Sequence, residues 1–145
     1  MKERHKAVPA SYLILRRGGE ILLMLRKNTG YCDGWYVVPS GHVEEGEMPM
    51  DAVLRETREE IGIDLPRSSV RPVHAMYRTQ HDQTGDRADY FFEATDWQGV
   101  PVNAEPEKCE GLGWFPLHGL PPNVVPHVKY AIECVEAGIA YSELR

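Results

Sequence analysis

A short acidic segment near the middle of the chain, Arg55-Glu56-Thr57-Arg58-Glu59-Glu60, carries the residue types best suited to chemistry. If the segment is helical, Glu56, Glu59 and Glu60 stand at positions i, i+3 and i+4 and share one face. At ~100° per residue they span an arc of only about 100°. Crowded like charges destabilise a helix, and a hard divalent cation would offset the repulsion because it prefers carboxylate oxygens. The pattern therefore indicates a cation site that can attract phosphates, with a solvated acidic face as the alternative.

The residues that flank this segment predict the helix that positions it. A helix is predicted over residues 49–61, because Pro49 suits a first helical turn and Gly62 suits the position just past the last one. Glu47 and Asp51 favour its positive N-terminal end. Beside the acidic face runs an apolar arc that can pack on a sheet, formed by Met50, Val53, Leu54, Thr57 and Ile61.

Alternating apolar runs and turn residues predict the remaining elements. Strands are predicted over residues 11–16, 21–25, 35–38, 70–80, 88–97 and 112–115. Turns or loops are predicted over 17–20, 82–86 and 98–111. A closing helix is predicted over 124–137, with Asn123 as its cap and Gly138 beyond its end. The order of strands, helix, strands and helix predicts an α/β fold, with a mixed sheet covered by helices on both faces.

Composition and charge narrow the classes of function. The 145 residues, 42% of them hydrophobic and 26% charged, suit a single globular domain spanning residues 1–145. The net charge of −6 argues against binding to a nucleic acid polymer or an anionic membrane. It leaves anionic small molecules possible, because divalent cations can stand between carboxylates and phosphates.

Cysteine usage and hydropathy bear on the compartment. The three cysteines, Cys32, Cys109 and Cys134, are odd in number, widely spaced and without a CxxC pair, which favours free thiols in a reducing compartment. No signal-type apolar stretch follows the charged N-terminus, and no apolar run approaches the ~20 residues that span a bilayer. A cytoplasmic location without membrane attachment is expected.

The acidic segment lies within a longer motif, and there the sequence resembles the Nudix family. That family's box is G-x5-E-x7-R-E-U-x-E-E-x-G-U, where U is a bulky apolar residue. This chain supplies the box over residues 41–63, with Gly41, Glu47, Arg55, Glu56, Thr57, Glu59, Glu60, Gly62 and Ile63 in register. Only Thr57 departs from the pattern, and its methyl group can still pack inward. With flanking similarities covering residues 8–137, the resemblance implies the Nudix α/β/α sandwich with a mixed central sheet, and hydrolysis of a pyrophosphate bond.

The resemblance also implies roles for the residues of the box. It implies a site for Mg²⁺ or Mn²⁺ at Ser40 (through its backbone carbonyl), Glu47, Glu56, Glu59 and Glu60. The general base is assigned to Glu56, with Glu59 as the alternative. Arg55 lies four residues before Glu59 and is expected to hold a carboxylate of the catalytic site in place.

Substrate-binding candidates lie outside the box. Arg26 ends the second predicted strand, where family members place a basic residue against substrate; a solvated strand end is the alternative. Residues 103–110 resemble a loop of triphosphate-cleaving Nudix enzymes, so Glu105 and Glu110 are candidates for an extra carboxylate at the site, or for an acidic surface loop. Asn123 is similar in position to the asparagine by which MutT-type members read the base, with helix capping as its alternative role.

Three functions follow from this resemblance. The first is metal-dependent hydrolysis of a nucleoside or deoxynucleoside triphosphate to monophosphate and pyrophosphate. The second is cleavage of another nucleoside diphosphate derivative, such as ADP-ribose or a dinucleoside polyphosphate. The third is a Nudix-fold nucleotide-binding module without turnover, although such modules usually lose glutamates that this chain keeps. The expected partner is a small nucleotide, and a homodimer is possible because relatives often form one.

Overall fold

The computed structural model describes residues 3–79 and 85–145. Within these ranges the strands are β1 (Ala7–Arg17), β2 (Glu20–Arg26), β3 (Tyr36–Val37), β4 (Ser40–His42), β5 (Val70–Arg78), β6 (Asp86–Ala94), β7 (Cys109–Pro116) and β8 (Tyr141–Leu144). The helices are α1 (Pro49–Ile61) and α2 (Pro126–Glu136), and a single 3₁₀ turn spans Arg67–Ser69.

The strands form one mixed sheet. Its main path runs β3-β2-β1-β6-β5-β8, with β4 paired to β1 and β7 paired to β2. The pairs β1–β6 and β5–β8 are parallel, and the other pairs are antiparallel. The predicted mixed sheet is therefore confirmed.

Side chains of the central strand alternate between two cores, one under each helix. Tyr12 and Ile14 of β1 belong to the core that α2 covers, whereas Leu13 and Leu15 belong to the core that α1 covers. Such alternation follows from the two-residue period of a strand. Because both faces of the sheet are apolar here, both need a helix, and the predicted α/β/α sandwich is confirmed.

Several strands differ from their predicted bounds because pairing extends them. β1 begins at residue 7 rather than 11, since it pairs with β6 in register from Ala7–Asp86 to Leu15–Ala94. β7 spans residues 109–116 rather than 112–115, because it pairs with β2 along its length. Residues 80–84, including most of the predicted 82–86 loop, lie outside the described residues, and Asp86 belongs to β6. The short strands β4 and β8 were not predicted, since three or four residues carry little periodicity.

Helix α1 has the predicted bounds and ends. Pro49 occupies its first turn, and the Asp51 carboxylate accepts a hydrogen bond from the Met48 amide at 3.0 Å. Gly62 adopts a left-handed conformation with φ 68°, and its N–H donates to the Arg58 carbonyl. The departure from the box at Thr57 is accommodated, because this residue is fully buried and its hydroxyl donates to the Val53 carbonyl at 2.6 Å.

Helix α2 begins two residues later than predicted, and the assignment of Asn123 as its cap is wrong. Val125 is the cap residue and Pro126 opens the helix, because proline suits a first position that needs no N–H donor. The side-chain amide of Asn123 instead donates to the Gly34 carbonyl at 2.9 Å, and the backbone carbonyl of Asn123 accepts from the Tyr36 amide at 2.8 Å. Asn123 therefore ties the segment before α2 to β3.

Two predictions from composition can be compared with the structure. Cys109 and Cys134 are buried free thiols and Cys32 is a half-buried one, as predicted. In the parts of the chain that the structure describes, neither helix is long and apolar enough to cross a membrane.

Candidate active site

The acidic face of α1 lines one side of a cleft. We call it the acidic cleft; its volume is about 450 Å³, and its charged lining residues are Arg26, Glu56, Glu59, Glu60, Glu105 and Lys108. The three helix glutamates meet there as their i, i+3, i+4 spacing predicted. Glu105 joins them from a loop 45 residues further along the chain than Glu60. The cleft thus combines four carboxylates with two cations.

Gly41 lets Glu56 lie against the backbone of β4. A Cβ atom at Gly41 would lie 2.2 Å from the carboxyl carbon of Glu56 and 2.3 Å from its Oε1, closer than real contacts allow. Any side chain at Gly41 would therefore displace this carboxylate. The box glycine serves here to make space, and its own backbone is not in a left-handed conformation.

Arg55 holds the carboxylates of the box together. Its Nε and Nη2 donate to the two oxygens of Glu47 at 2.8 and 3.1 Å, and its Nη1 donates to Glu56 Oε1 at 2.6 Å. The predicted contact with Glu59 is present but longer, at 3.4 Å. Nη2 also donates to the His42 carbonyl at 3.1 Å. The hydrogen bonds to Glu47 and Glu56 raise the pKa of Arg55, although partial burial opposes the shift, so Arg55 is a fixed cation.

Glu47 does not line the acidic cleft. Its carboxylate lies on Arg55, and it also accepts a hydrogen bond from the Glu44 amide at 3.0 Å. Hydrogen bonding to Arg55 and to that amide lowers the pKa of Glu47. Its geometry is that of a residue that supports Arg55, and through Arg55 the glutamates of the cleft.

Glu60 is anchored at the base of the cleft by Ser40. The Ser40 amide donates to Glu60 Oε1 at 2.8 Å. Burial, followed by the charges of Glu56 and Glu105, raises the pKa of Glu60 to about 8, although the Ser40 hydrogen bond opposes the shift. Burial also raises the pKa of Glu56, against the opposing effect of Arg55. The negative charges of Glu56 and Glu60 are therefore less fully stabilised by their surroundings than that of Glu47.

The donor set of the acidic cleft suits a hard divalent cation. Carboxylate oxygens are the ligands that Mg²⁺ and Mn²⁺ prefer, and a cation would relieve the burial and repulsion that raise the pKa of Glu56 and Glu60. As they stand, no three acidic, histidine or cysteine side chains among the described residues are arranged around one ion position. Arg55 holds Glu56 and the Ser40 amide holds Glu60, so coordination requires small side-chain shifts.

The loop that carries Glu105 is fastened to the end of α1. The Val102 amide donates to the Ile61 carbonyl at 2.9 Å, and the Ala104 amide donates to the Glu60 carbonyl at 3.1 Å. These carbonyls are among the last of the helix, which have no partner within it. The loop therefore satisfies the helix end and at the same time brings its own carboxylate beside the helix.

Asn103 shapes this loop, and the two candidate glutamates, Glu105 and Glu110, take different positions after it. Its Nδ2 donates to the Cys109 carbonyl at 2.7 Å, and its Oδ1 accepts from the Glu105 amide at 3.2 Å. Glu105 lines the acidic cleft, whereas Glu110 is exposed on β7 and lines neither this cleft nor the cavity beside it.

A second cavity adjoins the acidic cleft, and we call it the adjoining cavity. It has a volume of about 390 Å³ and lies between the sheet and the start of α2, with Tyr12, Tyr31, Val37, Val125 and Val128 among its walls. Arg26 and Val37 line both spaces, so the two are continuous neighbours. Asn123 is not part of either lining.

Arg26 stands at the boundary between the two spaces, where β2 ends as predicted. Its Nε donates to the Tyr31 carbonyl at 2.7 Å and its Nη2 donates to Thr29 Oγ1 at 2.9 Å. The guanidinium lies 5.5 Å from the centre of the Tyr31 ring. Arg26 is thus held by the loop that follows β2, at the boundary of the acidic cleft and the adjoining cavity.

A buried polar network faces the adjoining cavity, and sequence reasoning missed it. Arg78 of β5 pairs with Asp89 of β6 at 2.5 Å, and the Tyr12 hydroxyl donates to Asp89 at 2.9 Å. Burial and the charge of Asp89 raise the pKa of Tyr12, so Tyr12 stays a protonated donor. The available signal was charge within apolar strands: Arg78 and Asp89 interrupt segments that otherwise pack into the sheet.

Comparison with known families and curated proteins gives consistent results. The NUDIX domain model matches residues 5–133. Among curated proteins, the chain is 27% identical over 114 residues to an NAD-capped RNA hydrolase, NudC, of Pseudomonas putida (strain GB-1). That match covers 79% of this chain and 38% of the relative. The chain thus spans about two fifths of the length of the curated relatives it matches.

Solved structures agree on the fold. The chain superimposes on a MutT NUDIX hydrolase from Burkholderia pseudomallei with a TM-score of 0.80 and 29% identity, covering 89% of this chain and 98% of that one. A MutT protein from Methanosarcina mazei Go1 gives a TM-score of 0.76 at 17% identity, covering 94% and 97%. The second likeness is one of fold alone, and it matches the sandwich described above.

Proposed function

Because the chain belongs to the MutT-like Nudix hydrolases, which act on phosphorus anhydrides, we propose that its substrate is a nucleoside or deoxynucleoside triphosphate. The products are a nucleoside monophosphate and pyrophosphate. One observation carries the proposal: the acidic cleft and the adjoining cavity share the wall formed by Arg26 and Val37. A polyphosphate in the first and a nucleoside in the second would be bound side by side.

Nudix hydrolases generally use divalent metal ions, and here we propose Mg²⁺ or Mn²⁺. Glu56, Glu59 and Glu60 would hold the ion, with Glu105 facing them across the cleft. Such an ion would neutralise phosphate charge and make water more acidic beside it. The predicted contribution of the Ser40 carbonyl stays a proposal, supported by the proximity of Ser40 to Glu60.

Glu56 is our choice as general base. It is half-buried and lies against the backbone of Gly41, which fixes its position beside the other helix glutamates. Its partner Arg55 fixes one of its oxygens at 2.6 Å and so orients the carboxylate. Glu59 remains the alternative; it is more exposed and its contact with Arg55 is longer.

Arg55 and Glu47 act as positioning residues in this scheme. The bidentate contact of Glu47 with Arg55 leaves Nη1 of Arg55 directed at Glu56. Such a fork is well suited to hold carboxylates in a fixed geometry. Arg26 is proposed to bind a phosphate, and Glu105 to add a carboxylate to the metal site. Exposed on β7, Glu110 lies outside both spaces, and the geometry gives it no part in the reaction.

A substrate panel tests this proposal. Ribo- and deoxyribonucleoside triphosphates are incubated with Mg²⁺, and the products are identified by mass. Monophosphate and pyrophosphate are the expected products. Diphosphate and inorganic phosphate, or no turnover of any triphosphate with either Mg²⁺ or Mn²⁺, would contradict the proposal.

The second candidate is cleavage of the diphosphate linkage in another nucleoside diphosphate derivative, such as a dinucleotide. It is favoured by the curated relatives, which are named NAD-capped RNA hydrolases, and the adjoining cavity could hold one nucleoside half of such a substrate. The panel therefore includes NAD, ADP-ribose, a dinucleoside polyphosphate and an NAD-capped RNA. Faster release of AMP from NAD than of monophosphate from any triphosphate would favour this candidate. Turnover of the capped RNA would also overturn the expectation against nucleic acid polymers.

A further inference from the structure

Arg26 closes the base of the loop that joins β2 to β3. Its backbone N–H donates to the Trp35 carbonyl at 3.0 Å, and residues 27–34 form the loop between these two positions. Asn28 and Cys32 adopt left-handed conformations in this loop, with φ 53° and 52°. Such conformations are uncommon for residues other than glycine, and they persist where surrounding contacts fix them. The loop therefore needs contacts that hold it in this shape.

Asp33 supplies those contacts. Its Oδ1 accepts hydrogen bonds from the Thr29 hydroxyl at 2.6 Å and from the Thr29 amide at 3.0 Å, and its Oδ2 accepts from the Gly30 amide at 3.0 Å. The hydrogen bonds from the Thr29 hydroxyl and amide are the main causes that lower the pKa of Asp33, so its carboxylate is ionised. One carboxylate thus organises the middle of the loop.

The Thr29 hydroxyl connects Asp33 to Arg26. A hydroxyl has one proton to donate and two lone pairs with which to accept. The proton goes to the Asp33 carboxylate at 2.6 Å, since this contact is shorter than the one to the Tyr31 carbonyl at 2.9 Å. The lone pairs accept from Arg26 Nη2 at 2.9 Å and from the Tyr31 amide at 3.2 Å. The hydroxyl therefore accepts from Arg26 while its own proton is directed at Asp33.

Arg26 retains donors for a ligand. Its Nε donates to the Tyr31 carbonyl and its Nη2 to the Thr29 hydroxyl. Among residues 3–79 and 85–145, no acceptor lies within hydrogen-bond distance of its Nη1, which carries two further N–H groups. Burial is the main cause of the raised pKa of Glu60, and the charge of Arg26 opposes it, so the guanidinium acts on the acidic cleft. The available N–H groups therefore belong to a cation that lines the cleft.

We propose that Asp33 and Thr29 are positioning residues that hold Arg26 so that its available N–H groups bind a phosphate of the substrate. This inference rests on the proposed function, in which Arg26 binds a phosphate. A guanidinium that is fixed before the ligand arrives loses less side-chain freedom on binding, and the affinity for the ligand is higher. Asp33 lines neither the acidic cleft nor the adjoining cavity, so it acts through Thr29 and Arg26.

The first test compares two substitutions of Thr29 that differ in the hydroxyl. Thr29→Val keeps the branched shape without the hydroxyl, whereas Thr29→Ser keeps the hydroxyl. With a nucleoside triphosphate and Mg²⁺, Thr29→Val is expected to raise KM about fivefold, the equivalent of one hydrogen bond, and to leave kcat within about twofold. Thr29→Ser is expected to keep KM within about twofold of the unaltered protein. An unchanged KM in Thr29→Val, or an equal rise in both variants, would overturn the proposal.

Thr95→Val is the matched control for the loss of a threonine hydroxyl. Thr95 is exposed and lines neither the acidic cleft nor the adjoining cavity. Its substitution is expected to leave both KM and kcat unchanged. A rise in KM equal to that of Thr29→Val would show that the effect is not specific to the loop, and it would overturn the proposal.

A double-mutant cycle tests whether Asp33 acts through Arg26. Arg26→Gln is expected to raise KM about tenfold or more, because it removes a charge-assisted hydrogen bond to phosphate. Asp33→Ala is expected to raise KM about fivefold. If Asp33 acts by holding Arg26, the double variant should have the KM of Arg26→Gln alone. Effects that multiply, to about fiftyfold, would show that Asp33 acts independently of Arg26 and would overturn the proposal.

Binding of a non-hydrolysable nucleotide separates this proposal from the proposed function. Calorimetry with Mg²⁺ and α,β-methylene-ATP, in which a methylene group replaces the bridging oxygen, needs no turnover. About fivefold weaker binding by Thr29→Val but not by Thr29→Ser, without hydrolysis of any triphosphate, would sustain the positioning role and refute the proposed reaction. Hydrolysis of triphosphates, with KM and analogue binding unchanged in Thr29→Val and Asp33→Ala, would sustain the reaction and refute the positioning role.

Discussion

The acidic cleft and the adjoining cavity share a wall but handle charge in opposite ways. In the cleft, burial and mutual repulsion raise the pKa of Glu56 and Glu60, so a bound cation would stabilise their ionised carboxylates. In the cavity, Arg78 and Asp89 neutralise each other. Uncompensated charge suits a region that must attract a metal ion and phosphates. Compensated charge suits a region that receives an uncharged part of the ligand.

The two regions also differ in how they are assembled. The cleft is built largely on one helix, and Arg55 holds its side chains from the same helix. The cavity draws on β1, β5, β6 and the start of α2, and its network joins residues as far apart as Tyr12 and His127. Changes in the cleft should therefore act mainly on turnover, whereas changes around the cavity should act on selectivity and stability.

The largest effect is expected from the carboxylates of the cleft. Glu59→Gln and Glu60→Gln should each lower kcat with Mg²⁺ by about two orders of magnitude or more, because loss of a metal ligand removes several kcal/mol of transition-state stabilisation. Steady-state kinetics and a thermal melt of each variant provide the check. The control is Glu110→Gln, because Glu110 is exposed and lies outside the acidic cleft; this variant should retain full turnover. Unchanged kcat in both glutamine variants would remove the cleft from the chemistry.

A smaller loss of turnover should follow from filling the space beside Glu56. Gly41→Ala places a methyl group 2.2 Å from the carboxyl carbon of Glu56, so the carboxylate must move. A displacement of about 1 Å commonly costs up to about 100-fold in rate, and we expect a loss of kcat in that range. Gly19→Ala is the matched control, because a Cβ there meets nothing within 4 Å. Equal kinetics for the two alanine variants would show that Glu56 can act from another position.

Stability of the metal-free protein should depend on pH through Glu60. Because its folded pKa is raised to about 8, protonated Glu60 favours the folded state; this stability is complete below about pH 4.5 and is lost as pH rises through 8. The loss is on the order of 1–3 kcal/mol. Urea unfolding at several pH values, in the presence of a chelator, measures it. Glu60→Gln should flatten this dependence between pH 5 and about 8, and a variant that retains it would place the titration elsewhere.

The smallest effect is expected at Asn123. Its amide is engaged by the Gly34 carbonyl, so Asn123→Ala should lower the free energy of unfolding by about 1 kcal/mol, the contribution of one hydrogen bond. The relative kcat/KM values for ATP, ITP, CTP and UTP should not change, since Asn123 lines neither space. Denaturant melts and steady-state kinetics with these four nucleotides test both statements. A shift in the relative values would restore the base-reading role that the resemblance to MutT-type enzymes suggested.

What could be predicted from the sequence was local. The bounds of α1, its proline start, its glycine end and the common face of its three glutamates all follow from spacing along one helix. The contact of Arg55 with Glu59 follows from the same spacing, yet the closer partner is Glu47, which a loop brings back from eight residues earlier. The cap assigned to Asn123 failed because Pro126 determines where α2 begins.

The sequence by itself therefore determined the family and the acidic helix face, because helix geometry converts residue spacing directly into position. Only the tertiary structure decided that Glu105 enters the acidic cleft while Glu110 does not. It alone joined Arg78 and Asp89 at the floor of the adjoining cavity. Such meetings depend on strand register and on packing between distant segments, and no local period of the sequence encodes them.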